Sequence, residues 1–265
     1  MVEHADEVLI CLSRDPVCSD QTVRPRHIRL KRAGHSPQGY VSPPELFASP
    51  DPGTPPAMTG YSDRINHALA FAAKHHDQQV RKGTQLPYIT HPANVAIILT
   101  RYGCDEETVV AGILHDVIED CVRDNWTREM LEERIGEKFG ASVLETVLSV
   151  TERKCDDEGN EFDKGEKKAD YLQRLAVATD QARWVCAADK IHNGSAILAD
   201  LRRTIDPHTV WDRFSIGREG TIRWYRAVHG RLTDLGFHPA IVDELRGVAE
   251  ALEKYSDVSA ASGAS

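Results

Sequence analysis

Leu114-His115-Asp116-Val117-Ile118-Glu119-Asp120 is the stretch on which the reading of this chain turns. It continues an apolar run in which Val109, Ile113, Leu114 and Val117 share one face, a spacing that predicts a helix. His115 and Glu119 are four residues apart, as are Asp116 and Asp120, and Asp116 and Glu119 are three apart. On one helix, such residues crowd adjoining strips of surface. Three carboxylates packed that closely repel one another, and burying them unpaired is expensive. A divalent cation resolves the conflict. The plainer alternative is a solvated acidic face, but a histidine inside an otherwise apolar, tightly punctuated helix argues against it.

Two other segments supply matching chemistry. Upstream, Arg81-Lys82 precede Pro87-Tyr88-Ile89-Thr90-His91-Pro92. Pro92 suits the first turn of a helix, so His91 stands at a helix edge from which an imidazole can point at a site. Downstream, the apolar Trp184-Val185-Cys186-Ala187-Ala188 leads into Asp189-Lys190-Ile191-His192-Asn193. A carboxylate closing an apolar run is usually a ligand or half of a buried ion pair. His91, His115, Asp116 and Asp189 together offer two imidazoles and two carboxylates. That hard, mixed set suits Mn²⁺, Fe²⁺ or Mg²⁺ with open water positions better than a closed structural zinc site.

The surrounding punctuation is helical. Ile65, Ala68, Leu69 and Ala72 form a stripe; Val95, Ile98, Leu99 and Tyr102 form another, closed by Gly103. Asp105 and Thr127 are placed as N-caps, the second for a segment ending near Gly140. A polar, Lys-rich loop is expected over 154–168, then helices over 182–201, 210–235 and 239–255. Val/Ile-rich alternation bounded by turn pairs is missing. The expectation is an all-α chain: one helical bundle over 58–255 with a metal site at its centre. Nine of the 13 prolines lie before Met58, so 1–57 is expected to be a disordered appendage rather than a regulatory arm, and the Ser/Ala-rich 256–265 a flexible tail.

Composition narrows the function. Lys+Arg number 32 against 41 Asp+Glu, a formal charge of -9, which argues against general nucleic-acid binding. No apolar run approaches the roughly 20 residues that span a bilayer, and the acidic N-terminus does not read as a signal peptide. The six cysteines are scattered without a C-x-x-C pair, a pattern suited to a reducing cytoplasm.

The order Arg81-Lys82, Pro87-Tyr88-Ile89 with His91-Pro92, His115-Asp116, Glu119-Asp120 and Ala188-Asp189-Lys190 with Asn193 resembles the HD-domain hydrolases of the SpoT/Rel type. It is most similar to the stand-alone small alarmone hydrolases related to metazoan SpoT homologues, over about Ser62 to Gly236. The resemblance implies a helical HD fold, one Mn²⁺ ion (or Fe²⁺ or Mg²⁺), and hydrolysis of the 3′-pyrophosphate of (p)ppGpp to GDP or GTP plus pyrophosphate. His91, His115, Asp116 and Asp189 would hold the metal. Glu119 and Asp120 match the catalytic pair, and Arg81, Lys82 and Asn193 match nucleotide-contacting positions. Glu119 would orient or deprotonate water and Asp120 handle the leaving-group proton, in an order the sequence leaves open. A cytoplasmic setting is implied, as is a cognate alarmone synthetase whose product the enzyme destroys as an antitoxin. The alternatives are an HD phosphatase on another nucleotide, such as the 2′-phosphate of NADPH, and a non-catalytic nucleotide-binding HD module.

The chain departs from the long Rel enzymes after Asn193, where Gly194-Ser195-Ala196 replaces an Arg and a Thr. Among the remaining candidates, Arg218 is the expected phosphate partner in the Trp211–Tyr225 segment. His75 and His76 read as surface or capping residues, His192 as a packing or supporting residue, and Trp224 and Tyr225 as core; Lys167-Lys168 can reach substrate phosphates from the loop, but a Lys-rich loop is usually just solvated.

Overall fold

The computed structural model describes residues 61–261, with side chains through Tyr255; the expectations for 1–57 and for 262–265 lie outside those residues. Eleven helices follow one another among the described residues, and strand pairing is limited to three isolated bridges. Most boundaries have a local cause. Ser62 caps α1 (Asp63–His75) by accepting from the Ile65 amide. Next come α2 (Thr90–Arg101) and α3 (Glu106–Leu114), separated by Gly103 at φ 73° and the Asp105 cap on Thr108 N. After a single turn, α4 (Val117–Asp120), the Thr127 hydroxyl caps α5 (Arg128–Phe139). Gly140 at φ 93° turns the chain into α6 (Ala141–Val150). The second half comprises α7 (Lys164–Arg174), α8 (Asp180–Arg203), the short α9 (His208–Trp211), α10 (Gly217–Asp234) and α11 (Ala240–Ala261).

Two helices organise the core. Every residue of α3 from Thr108 to Leu114 is buried, as in a helix that is apolar nearly all round. The long α8 touches α2, α3, α6, α10 and α11, and buries Val185 through Asp189. The site therefore sits where α2, the end of α3 and the middle of α8 converge. Among the described residues no helix is long and apolar enough to cross a membrane.

The structure corrects four expectations. The His115–Asp120 segment is not one unbroken helix: α3 stops at Leu114, and His115 and Asp116 form a tight turn before α4. The His115 ring bonds the Gly112 carbonyl, a local competitor for helical pairing. The Lys-rich loop ends early, because Asp163 and Glu166 form a capping box that starts α7 at Lys164. The helix expected over 210–235 is interrupted over 212–216, and α10 starts at Gly217, φ 63°. Past Ser256, α11 continues to Ala261 instead of giving way to a tail.

Candidate metal centre and its cavity

His91, the second residue of α2, is 1% exposed. Its Nε2 lies 3.3 Å from Asp116 Oδ2, 3.2 Å from Asp189 Oδ1 and 3.2 Å from His115 Nε2. His115 Nε2 is 3.1 Å from Asp116 Oδ1 and 3.8 Å from Asp189 Oδ1. The donor atoms of His91, His115 and Asp116 all fall within 4.8 Å of one another. The four ligands expected from sequence thus converge.

The hydrogen bonds behind the two rings test whether a cation fits. His115 Nδ1 lies 2.8 Å from the Gly112 carbonyl, which can only accept, so Nδ1 carries the proton and the neutral ring leaves Nε2 bare. His91 Nδ1 lies 2.6 Å from His192 Nδ1. Burial, with help from His91 and Arg81, pushes the His192 pKa down to about 4, so that ring is neutral and can accept from His91. His91 Nε2 is then bare as well. Two bare imidazole nitrogens facing two carboxylates make a donor set that fits a divalent cation, with the outer N–H groups fixed as metal-binding histidines require. A proton competes for the same place. Burial works against charge on His115, but Asp116 and Asp189 outweigh it and hold its pKa well above the usual value. Asp116 is held well below the carboxylate range by His115 and His91 despite its burial.

A further set of side chains fixes the carboxylates. The Tyr88 hydroxyl donates to Asp116 Oδ2 at 2.6 Å, and its ring stacks on His76 with centroids 4.7 Å apart. Burial, then Asp116, pushes the Tyr88 pKa far up, so it stays a donor. Asp189 accepts from Asn193 Nδ2 on one oxygen and from Lys190 Nζ on the other, both at 2.5 Å. Asn193 Oδ1 in turn accepts from Arg81 Nη2 at 2.5 Å. Arg81 and Asn193 therefore form a chain ending on Asp189.

A cavity of about 590 Å³ adjoins this centre, and Glu119, Asp120, Arg81, Lys82 and Asn193 line it. Burial, then Asp116, pushes the Glu119 carboxyl up to about 7, while its Oε2 accepts from the Glu152 amide at 2.8 Å. The same two causes raise Asp120. Arg218 is the exception among the expected site residues. It follows the turn at Gly217 and lines an adjoining cavity with Pro207, His208 and Trp211, whose wall shares Phe214 and Ile216 with the first.

Other assignments change too. His75 and His76 are each 3% exposed, so neither is a surface residue, while His76 does cap the C-terminus of α1. His75 packs between Phe71 and Trp126, and His76 backs Tyr88. Lys168 and Trp224 line the cavity, with the ammonium 3.9 Å above the indole ring. Sequence reasoning gave no role to Tyr88 or Lys190. Tyr88 lies three residues before His91 at the entry to α2, and Lys190 is adjacent to Asp189; both spacings were signals in plain view.

Comparisons with known proteins identify the family. The HD domain family matches residues 68–211, more than half of the chain. The guanosine-3′,5′-bis(diphosphate) 3′-pyrophosphohydrolase of Aquifex aeolicus is 40% identical over 135 residues, 50% of this chain and 18% of that protein. The bifunctional (p)ppGpp synthase/hydrolase SpoT of Escherichia coli is 35% identical over 153 residues, 56% of this chain and 20% of that protein. A GTP pyrophosphokinase of Myxococcus xanthus is 33% identical over 147 residues, covering 52% of this chain and 18% of that protein. The chain thus spans about a fifth of the length of these curated relatives. Among solved structures, one described as "A metazoan ortholog of SpoT hydrolyzes ppGpp and plays a role in starvation responses" superposes with a TM-score of 0.53 at 26% identity, covering 71% of this chain and 94% of that one. With a helical bundle, converging His and Asp side chains and a family match over residues 68–211, the chain belongs to the HD-domain family.

Proposed function

We propose that this protein is a metal-dependent phosphohydrolase that removes the 3′-pyrophosphate of (p)ppGpp, giving GDP or GTP plus pyrophosphate. The observation that carries the reading is the convergence of two bare imidazole nitrogens and two carboxylates beside a cavity that holds a further carboxylate pair and several cations. His91, His115, Asp116 and Asp189 would hold the ion, with Mn²⁺ favoured and Fe²⁺ or Mg²⁺ compatible with the same donors. A divalent cation there lowers the pKa of water and offsets charge on a phosphoryl oxygen.

The chain's own residues do the rest. Glu119, with a pKa near 7, is suited to orient a water and take its proton as the new O–P bond forms. Asp120, also raised by burial, is suited to return a proton to the ribose 3′-oxygen as the P–O bond to the leaving nucleoside breaks. Arg81 and Lys82 offset the negative field that a protein of net charge -9 presents to a polyanion. Its setting would be the cytoplasm, with a cognate alarmone synthetase as the source of substrate.

The test is turnover of ppGpp beside NADPH by the full chain loaded with Mn²⁺. Pyrophosphate released from ppGpp, and lost in Glu119→Gln, is the expected result. Orthophosphate released from NADPH with ppGpp untouched would move the same site to another substrate. Tight nucleotide binding with no turnover of either would leave a binding module.

A further inference from the structure

We propose that Lys168 forms an anion subsite in the cavity, receiving a diphosphate group against the face of Trp224. This inference rests on the reading of the site as one that handles a nucleotide diphosphate. The other cations around the cavity are engaged. Lys190 is paired with Asp189, Arg213 with Asp200 at 2.6 Å, and Arg81 with Asn193, while Lys82 is exposed to solvent.

Lys168 differs from all of them. It is half-buried, its Nζ lies 3.9 Å above the Trp224 ring centroid, and among the described residues no carboxylate or carbonyl bonds it. An indole face offsets part of the lost hydration of an ammonium, but it does not satisfy three N–H donors. Burial, then the neighbouring Lys190, whose Nζ is 5.9 Å from the same ring, disfavour the charge by more than Glu152 and Glu119 favour it, and the Lys168 pKa is lowered. A ligand with several anionic oxygens meets each of these deficits. It satisfies the donors, offsets the repulsion between the two lysines, and keeps the indole as a wall.

Placement favours the reacting end of the substrate. Lys168 lines the same cavity as Glu119 and Asp120, so an oxyanion bound to it shares the pocket with the carboxylates proposed to move protons. Its position is also fixed by local structure. The Asp163–Glu166 capping box starts α7 early enough that Lys168 lies within the helix rather than in a solvated loop.

The experiment uses the full chain in metal-free form, titrated with inorganic pyrophosphate and separately with orthophosphate, by calorimetry. Lys168→Gln should weaken pyrophosphate binding about ten- to a hundredfold, the loss expected when one charge-assisted contact disappears. Lys168→Arg should retain affinity to within a few fold, and Lys167→Gln, one residue away and outside the cavity lining, should bind like the wild type. Stronger retention of pyrophosphate than of orthophosphate marks the ligand as a diphosphate. Wild-type affinity in Lys168→Gln, or no pyrophosphate binding by the wild type, overturns the proposal. The two readings separate cleanly. Lys168-dependent pyrophosphate binding without ppGpp turnover keeps the subsite and removes the hydrolase. Turnover of ppGpp with unchanged KM and unchanged pyrophosphate binding in Lys168→Gln does the reverse.

Discussion

Tyr88→Phe removes one hydroxyl, which bonds Asp116 and also reaches Asp120, and keeps the ring. The phenyl ring keeps the stack on His76, whose centroid lies 4.7 Å away, while the 2.6 Å bond from the hydroxyl to Asp116 Oδ2 is lost. That bond is short, largely buried and made to an ionised acceptor, so its removal should cost about 1.5–3 kcal/mol of ligand orientation. Converted to binding, this is a loss of about ten- to a hundredfold in cation affinity. Titration of Mn²⁺ into the metal-free protein by calorimetry measures it directly. The Mn²⁺ concentration giving half-maximal turnover should rise in the same ratio, with kcat largely recovered at saturating metal. Unchanged Mn²⁺ affinity would refute the assignment of Tyr88 as the residue that aims Asp116. A loss of turnover that no Mn²⁺ concentration restores would place Tyr88 in the chemistry instead.

His75 should make the protein acid-sensitive. Burial pushes its pKa from 6.5 down to about 4, and its buried Nδ1 has no hydrogen-bond partner. The unfolded chain therefore binds the proton more readily than the folded one, and stability falls as pH drops from 6.5 toward 4. In His75→Phe, the difference in urea midpoint from wild type should grow in favour of the variant over that window and stay constant above pH 7. A pH-independent difference would contradict the assignment. Gly194→Ala should destabilise by about 1–3 kcal/mol through overpacking, since a Cβ there would lie 2.4 Å from Val248 Cγ1 and 2.8 Å from Tyr225 Cε1. Equal urea midpoints for Gly194→Ala and wild type would show that α8 has room the structure denies. Glu119→Gln should abolish pyrophosphate release while leaving Mn²⁺ affinity within a few fold, because Glu119 lies outside the converging donors; a large drop in affinity would make it a ligand.

The convergence of His91, His115, Asp116 and Asp189 was legible because the signals are local and chemically extreme. A carboxylate such as Asp189 at the end of an apolar run, or a histidine such as His115 amid Ile113, Leu114 and Val117, has few inexpensive explanations. The all-helical fold was legible from stripes and from caps such as Asp105 and Thr127, which act over three residues and need no tertiary context.

What stayed hidden depends on packing between distant segments. The bond from Arg81 to Asn193 spans 112 positions, so nothing in either segment reveals that one orients the other. His76 looks like an ordinary helix-terminal residue until the 79–88 loop lays Tyr88 on it. Arg218 falls outside the lining of the main cavity for the opposite reason. The sequence shows a basic residue near aromatic ones, but the expected helix is interrupted over 212–216 and Arg218 lines the adjoining cavity. The glycine after Asn193 also gains a physical reason, because α8 approaches Tyr225 and Val248 closely there; nothing in the structure explains Ser195 and Ala196.

The central claim is that the four converging donors hold a cation and that this cation-bearing site cleaves the 3′-diphosphate of an alarmone. Pyrophosphate release from ppGpp by the full chain, measured with and without Mn²⁺ and beside Asp116→Ala, tests it most directly. The account predicts release that requires both the cation and Asp116. Release that persists in Asp116→Ala or in a chelator would contradict it, as would a Mn²⁺-loaded wild type that leaves ppGpp intact.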